Sequence, residues 1–289
     1  MVKFEYFQAP GEPRRVTITF DDFEVYNTPA LSAAECNAAI LDALGRRNLQ
    51  AAVFVTGMFV DETTLPLLRS WDERGHIIAN HTYSHLSYPA AGFRRFAADV
   101  LRNEELLGEF KHFRKLFRFP FLREGDTASQ RDEMRAFLLE QGYRNGYVTI
   151  DTSDWYIDRR LKARLKAGGA DATAYRGYYL SHIRERAAYY DDLARKISWH
   201  GIKHTLLLHH NVLNGLFLDD LLGMFEREGW NLIDAEEAYA HAPRLPDVLP
   251  AGESVVWGLA KEAGKLDEFI RYPCEGAEYE KPSMDARGL

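Results

Sequence analysis

The sequence predicts an α/β protein built on a parallel sheet, and three observations carry that reading. Seven short strand-like runs are separated by helical stretches, the pattern that gives parallel strands and not hairpins. The runs are strongly apolar, as in Thr205-Leu206-Leu207-Leu208, which suits a sheet covered on both faces. Five of them end in chemically loaded residues: Asp21-Asp22, His81 with His85, Arg118, Asp151 with Asp154, and His209. In parallel folds the strand ends gather on one rim, where the chemistry sits. All five sets are therefore expected to converge.

The first strand, Val16 to Thr19, alternates apolar and hydroxyl residues and delivers Phe20 and two carboxylates to its tip. Ser32 and Glu35 have the spacing of a capping box, followed by Cys36, Ile40 and Leu44 on one helical face. Gln50 to Val55 reads as the second strand, and Thr64 to Arg74 as a helix stopped by Gly75. Ile77 to Ala79 is a short strand opening into His81 and His85. A helix over about 92–110 then leads to the strand around Leu116 and Phe117. A further helix, Ser129 to Gln141, precedes the strand Tyr147 to Ile150. From Tyr156 to Gly201 the pattern is helical, divided at Gly168-Gly169. After Thr205 to Leu208 come a helix from Leu218 to Glu228, the strand Trp230 to Ile233, and a last helix with Asp234 as its cap. Residues 1–242 are read as one catalytic domain with a helical insertion over about 156–201. Residues 243–289, punctuated by prolines and holding one helical pattern from Ser254 to Phe269, are read as an extension packed on it.

With 46% hydrophobic and 27% charged residues, the 289-residue chain has the makings of a globular core. A net charge of -7 and the lack of any basic run argue against a nucleic-acid partner. Two distant cysteines, Cys36 and Cys274, indicate neither a disulfide framework nor a cysteine metal site. Met1 to Pro13 lacks the basic flank and apolar run of a signal peptide, and no run reaches the roughly 18 apolar residues of a membrane span. The sequence alone assigns no compartment.

Two adjacent carboxylates repel unless a cation lies between them, and the chain offers two. His81 and His85, four apart, can face one way on a helical turn; with Asp22 they make a two-histidine, one-carboxylate metal set with open positions. One carboxylate of the pair can then hold the metal while the other meets the metal-bound water. Arg118 lies between Phe117 and Phe119, where an unpaired guanidinium is costly, so Asp21 is its expected partner. His209 is either a structural histidine or an acid whose pKa Asp151 raises. Trp155 is either plain core or a wall of the site, and His210 is read as structural.

In order and spacing, Thr19-Phe20-Asp21-Asp22, His81-Thr82-x-x-His85, Arg118-x-Pro120-Phe121, Asp151-x-x-Asp154-Trp155 and Leu207-x-His209 resemble the five motifs of the NodB-homology polysaccharide deacetylases, carbohydrate esterase family four. The resemblance runs from about Val16 to Ala240. It implies a distorted (β/α) barrel of seven strands and one divalent metal, most often Zn2+, with Co2+ or Ni2+ as alternatives. It also implies hydrolysis of acetyl groups on N-acetylated or O-acetylated oligo- or polysaccharides. By the same resemblance Asp21 is the catalytic base, Asp22, His81 and His85 bind the metal, and Arg118 orients Asp21. His209 is the acid tuned by Asp151, and a backbone N–H near Phe121 or Leu122 joins in stabilising the oxyanion. Phe121-Leu122 in place of tyrosine-glycine, His210 in place of aspartate, and the long helical insertion depart from the family pattern and bear on the substrate. Two rival readings are a related metal amidase acting on a non-sugar amide or cyclic ureide, and a catalytically silent carbohydrate-binding protein.

Overall fold

The computed structural model describes residues 13–168, 172–241, 243–247, 252–266, 277 and 279–289. Its centre is a parallel sheet in which β1 (Arg14–Asp22) is the strand that pairs with three others. Along Arg15 to Asp21 it pairs with β6 (Lys203–His209), and along Thr19 to Asp22 with β2 (Ala52–Val55). Beyond β2 follow β3 (Ile77–Asn80), β4 (Phe113–Phe117) and the two-residue β5 (Arg144–Asn145), while β7 (Trp230–Leu232) pairs with the first residues of β1. The α/β fold, a distorted barrel with helices outside, agrees with the sequence reading.

The alternation in β1 explains its central place. Val16, Ile18 and Phe20 are fully buried and join the apolar cluster with Ile40, Leu44 and Trp71, whose indole meets the Phe20 ring edge-on at 5.4 Å. Thr17, Thr19 and Asp21 alternate with them, so they occupy the opposite face and are buried there too. That inner face is polar: the Thr19 hydroxyl donates to Leu206 O at 2.7 Å and accepts from the Arg118 guanidinium at 3.0 Å.

Local signals set most of the helices. The capping box forms as read, with Ser32 Oγ accepting from Glu35 N–H and the Glu35 carboxylate accepting from Ser32 N–H, opening the helix Ala33–Gly45. The helix after β6 starts at Val212, six residues earlier than the sequence suggested, because the Asn211 side chain caps it by accepting from Asn214 N–H at 2.9 Å. Asp234 precedes its helix without capping it; its carboxylate accepts from Gln50 N–H instead. The helical insertion forms two helices, Asp154–Lys166 and Thr173–Lys196; Gly168 ends the first at φ 83°, and Gly169 lies outside the described residues.

One strand was misread. Tyr147 to Ile150 makes no ladder, and the chain there runs past β6 with a single bridge between Ile150 and Leu206. Its polar groups are met piecemeal: Thr149 N–H and Ile150 N–H donate to Thr205 O, and Leu207 N–H donates to Ile150 O. Val255 N–H of the C-terminal extension donates to Val148 O at 2.9 Å, so the extension helps close this seam between β5 and β6. The extension's helix runs over Val255–Glu262, shorter than the sequence suggested, with Gly264 at φ 62° behind it. Residues 267–269 of the expected helix, and Cys274, fall outside the described residues. Cys36 is a buried thiol that donates to Asn211 O. Among the described residues no helix is long and apolar enough to cross a membrane.

Candidate active site

The strand ends do converge. A cleft of about 440 Å3 is lined by Asp21 and Asp22 from β1, His81 and His85 after β3, and Phe121 and Leu122 after β4. Its other wall is Asp151, Thr152, Ser153 and Trp155, with Leu207 and His209 of β6 and Gly252 of the extension. Backbone strain concentrates here. Nine described non-glycine residues have positive φ, and five lie in or beside the cleft: Asp22, Thr82, His85, Phe121 and Leu122. Each costs on the order of 1–3 kcal/mol and persists only where surrounding structure enforces it. At Asp22, φ of 72° takes the chain out of the strand, so two adjacent carboxylates enter one cleft instead of opposite faces.

Asp22, His81 and His85 bring one ligand atom each to within 4.8 Å of one another. His81 Nδ1 contacts Arg118 O at 2.8 Å, which requires a proton on Nδ1 and leaves the Nε2 lone pair facing Asp22 at 3.5 Å. Burial pulls the pKa of His81 well below the usual value, and burial likewise lowers that of His85, whose Nε2 lies 3.2 Å from Asp22. Both rings are held neutral, as metal ligands must be. Asp22 Oδ1 is buried with no hydrogen-bond partner among the described residues. An orphan carboxylate oxygen facing two neutral imidazole nitrogens fits a divalent cation of the zinc type.

Asp21 has the other cation. Its Oδ1 accepts from Arg118 Nη1 at 2.5 Å, and the guanidinium is fixed on every side. Arg118 Nε donates to Gly146 O, Nη2 donates to the Tyr239 hydroxyl, and its carbon lies 3.8 Å from the Phe54 ring centre. Burial dominates Asp21 nonetheless, raising its pKa to about 6 against the lowering by Arg118 and His209. Such a carboxyl is a competent general base near neutral pH.

The partner of His209 is Asp154, not Asp151. Its Nδ1 lies 2.7 Å from Asp154 Oδ1, and its backbone N–H donates to Asp154 Oδ2 at 2.9 Å. The amides of Asn211 and Asn214 also donate to Oδ2, so Asp154 is held by four donors. Asp154 opens a helix under β6, which points its carboxylate back at His209. Asp151 precedes that turn; it stays in the cleft wall, where burial raises its carboxyl to about 7 despite Arg186. Burial disfavours protonated His209, but Asp154 first, then Asp22 and Asp21, outweigh it and raise its pKa to about 10. Sequence spacing could not choose between two acids three apart. The Asn211-x-x-Asn214 pair directly after His209 was the signal available.

Of the remaining sequence candidates, Trp155 does line the cleft. Phe121 is 47% exposed, with its ring edge-on to His85 at 4.7 Å. Leu122 N–H is engaged by Phe119 O in a tight turn. His210 is structural, buried with its Nε2 at 3.1 Å from Asn37 Oδ1.

Residues 8–144 match the family model for polysaccharide deacetylase. Over that stretch the chain resembles the polysaccharide deacetylase family. A peptidoglycan-N-acetylglucosamine deacetylase of Bacillus cereus is 28% identical over 155 residues, covering 53% of this chain and 51% of the relative. The chain thus matches about half the length of this curated relative. Among solved structures, a chitin deacetylase from the fungal pathogen Colletotrichum lindemuthianum superposes with a TM-score of 0.54 at 16% identity, covering 80% of this chain and 90% of that one. A CE4 family pseudoenzyme from Bacillus anthracis has the same TM-score and identity, over 80% and 66% of the two chains. The two structural likenesses show that the chain shares their fold.

Proposed function

We propose that this chain is a polysaccharide deacetylase, a metal-dependent hydrolase that removes acetyl groups from N- or O-acetylated carbohydrates, with Asp22, His81 and His85 holding one Zn2+. One observation carries the reading: the Asp–His–His set, the Arg118-held Asp21 and the Asp154-held His209 face one another across a single cleft. A silent binding protein has no need for a carboxylate and a protonated imidazole, each held by its own counter-charge, facing one cleft.

A divalent cation held there would polarise the acetyl carbonyl and acidify the attacking water. Asp21, fixed by Arg118, takes the water proton as its oxygen attacks the acetyl carbon. The N–H of Phe121 is our candidate donor to the oxyanion, since that of Leu122 is already engaged. His209 Nε2 then gives its proton to the leaving amine or alkoxide, and the Nδ1 proton remains on the ring, donated to Asp154. The name of the Bacillus cereus relative makes peptidoglycan N-acetylglucosamine the first substrate to try.

The test is an acetate-release screen over peptidoglycan fragments, chitooligosaccharides and acetylxylan, with chelated and zinc-reloaded protein and a panel of small amides. Zinc-dependent acetate release from a carbohydrate is expected. Release of ammonia from small amides without acetate from any carbohydrate would overturn the proposal in favour of an amidase.

A further inference from the structure

The C-terminal extension reaches the catalytic wall through a line of buried polar groups. Glu280 is fully buried, yet it belongs to a six-residue helix, Glu280–Asp285, near the end of the chain. Its Oε1 accepts from Arg186 Nη2 at 2.8 Å and lies 3.9 Å from His182 Nδ1. Arg186 and His182 sit one turn apart on the helix Thr173–Lys196 of the insertion and are themselves 3% and 4% exposed. His182 Nε2 accepts from Ser153 N–H at 3.0 Å. That bond places the ring's proton on Nδ1, the nitrogen facing Glu280.

Ser153 is the last residue before the helix that begins at Asp154, and its own hydroxyl caps nothing. Its backbone is instead held from behind by His182. The next two residues are Asp154, which grips His209, and Trp155, which lines the cleft. This stretch has no ladder to fix it, because the preceding Tyr147 to Ile150 makes only one bridge to β6. A buried ion pair of this kind contributes little to stability compared with apolar side chains of the same volume. Holding a geometry is the better account of its presence.

We propose that Glu280 is a positioning residue for catalysis. Through Arg186 and His182 it fixes Ser153, and thereby the orientation of Asp154 against His209. The proposal rests on the hydrolase reading above for its kinetic arm only.

The experiment compares wild type with Glu280→Gln, His182→Gln and the double variant. Glu280→Gln keeps the shape of the side chain, so the protein is expected to fold and carry one equivalent of zinc. Its kcat on the best carbohydrate substrate is expected to fall about ten- to hundredfold, the usual cost of losing a group that orients a functional histidine. KM should change less than about twofold, since nothing that touches substrate is altered. The double variant should be no slower than the worse single one, because both break one line. Isotope-labelled histidine gives an arm independent of turnover: the downfield Nδ1 proton of His209 should be sharp in wild type and exchange-broadened in Glu280→Gln. An unchanged kcat with an unchanged His209 signal, or losses that multiply in the double variant, would overturn the proposal. If wild type released no acetate, the hydrolase reading would fail while the His209 signal still judged the role of Glu280.

Discussion

Replacing Asp154 by asparagine isolates the step assigned to His209. The carboxylate is the largest influence raising the His209 pKa, from 6.5 to about 10 against the opposing effect of burial. An asparagine side chain is nearly isosteric but cannot stabilise the imidazolium. The hydrogen bonds decide how it sits: Oδ2 of Asp154 receives three N–H donors and Oδ1 only the His209 ring. The amide oxygen will therefore face the three donors and its NH2 will face His209 Nδ1, which must then accept. Without the carboxylate, the pKa returns to the ordinary histidine value of about 6.5 or below. At a pH of about 8.5 the wild-type ring is almost fully protonated, whereas the variant ring is protonated about one part in a hundred. The expected loss in kcat at that pH is thus about hundredfold, shrinking as the pH is lowered, within the ordinary range for general acid catalysis. The assay is the pH profile of acetate release for wild type, Asp154→Asn and Asp151→Asn. A basic limb that moves in Asp151→Asn and not in Asp154→Asn would refute the assignment.

Other expectations follow from the same cleft. Activity should fall as the pH drops through about 6, because Asp21 protonates there and can no longer take a proton; Asp21→Asn should lose turnover yet keep one equivalent of zinc, whereas His81→Ala should lose the metal, read by elemental analysis. Arg118→Met should destabilise the fold by about 3–5 kcal/mol in denaturant unfolding, since it leaves Asp21 buried without its cation; a loss under about 1 kcal/mol would contradict the pairing.

What was legible in the sequence was whatever is encoded by neighbours along the chain. The apolar–polar alternation of β1, the Ser32–Glu35 box and the paired acids at a strand tip each announce themselves within a few residues, and Arg118 between two phenylalanines had to find a buried carboxylate. Most of the misreadings involve partners far away in sequence. Tyr147 to Ile150 is apolar enough for a strand, but its hydrogen bonds go to Thr205 and Val255, so no ladder forms. Asp151 and Asp154 look equivalent until the helix start at Asp154 aims one of them at His209. Asn211 is a local exception, an N-cap that sets the start of its helix at Val212 through Asn214 N–H.

The seam between β5 and β6 divides the cleft into halves of different origin. Asp21, Asp22, His81 and His85 stand on β1 and just after β3, where the ladders of β1 with β2 and of β2 with β3 run without a break. Asp151 to Trp155 stands on a gap, braced by the insertion and the tail, and Gly252 of the tail completes that wall. Mutations in those late segments can reshape the cleft without disturbing Asp22, His81 or His85. The chain thus separates the part of the site that must stay fixed from the part that selection can adjust, and it places the adjustable part where the barrel is least complete.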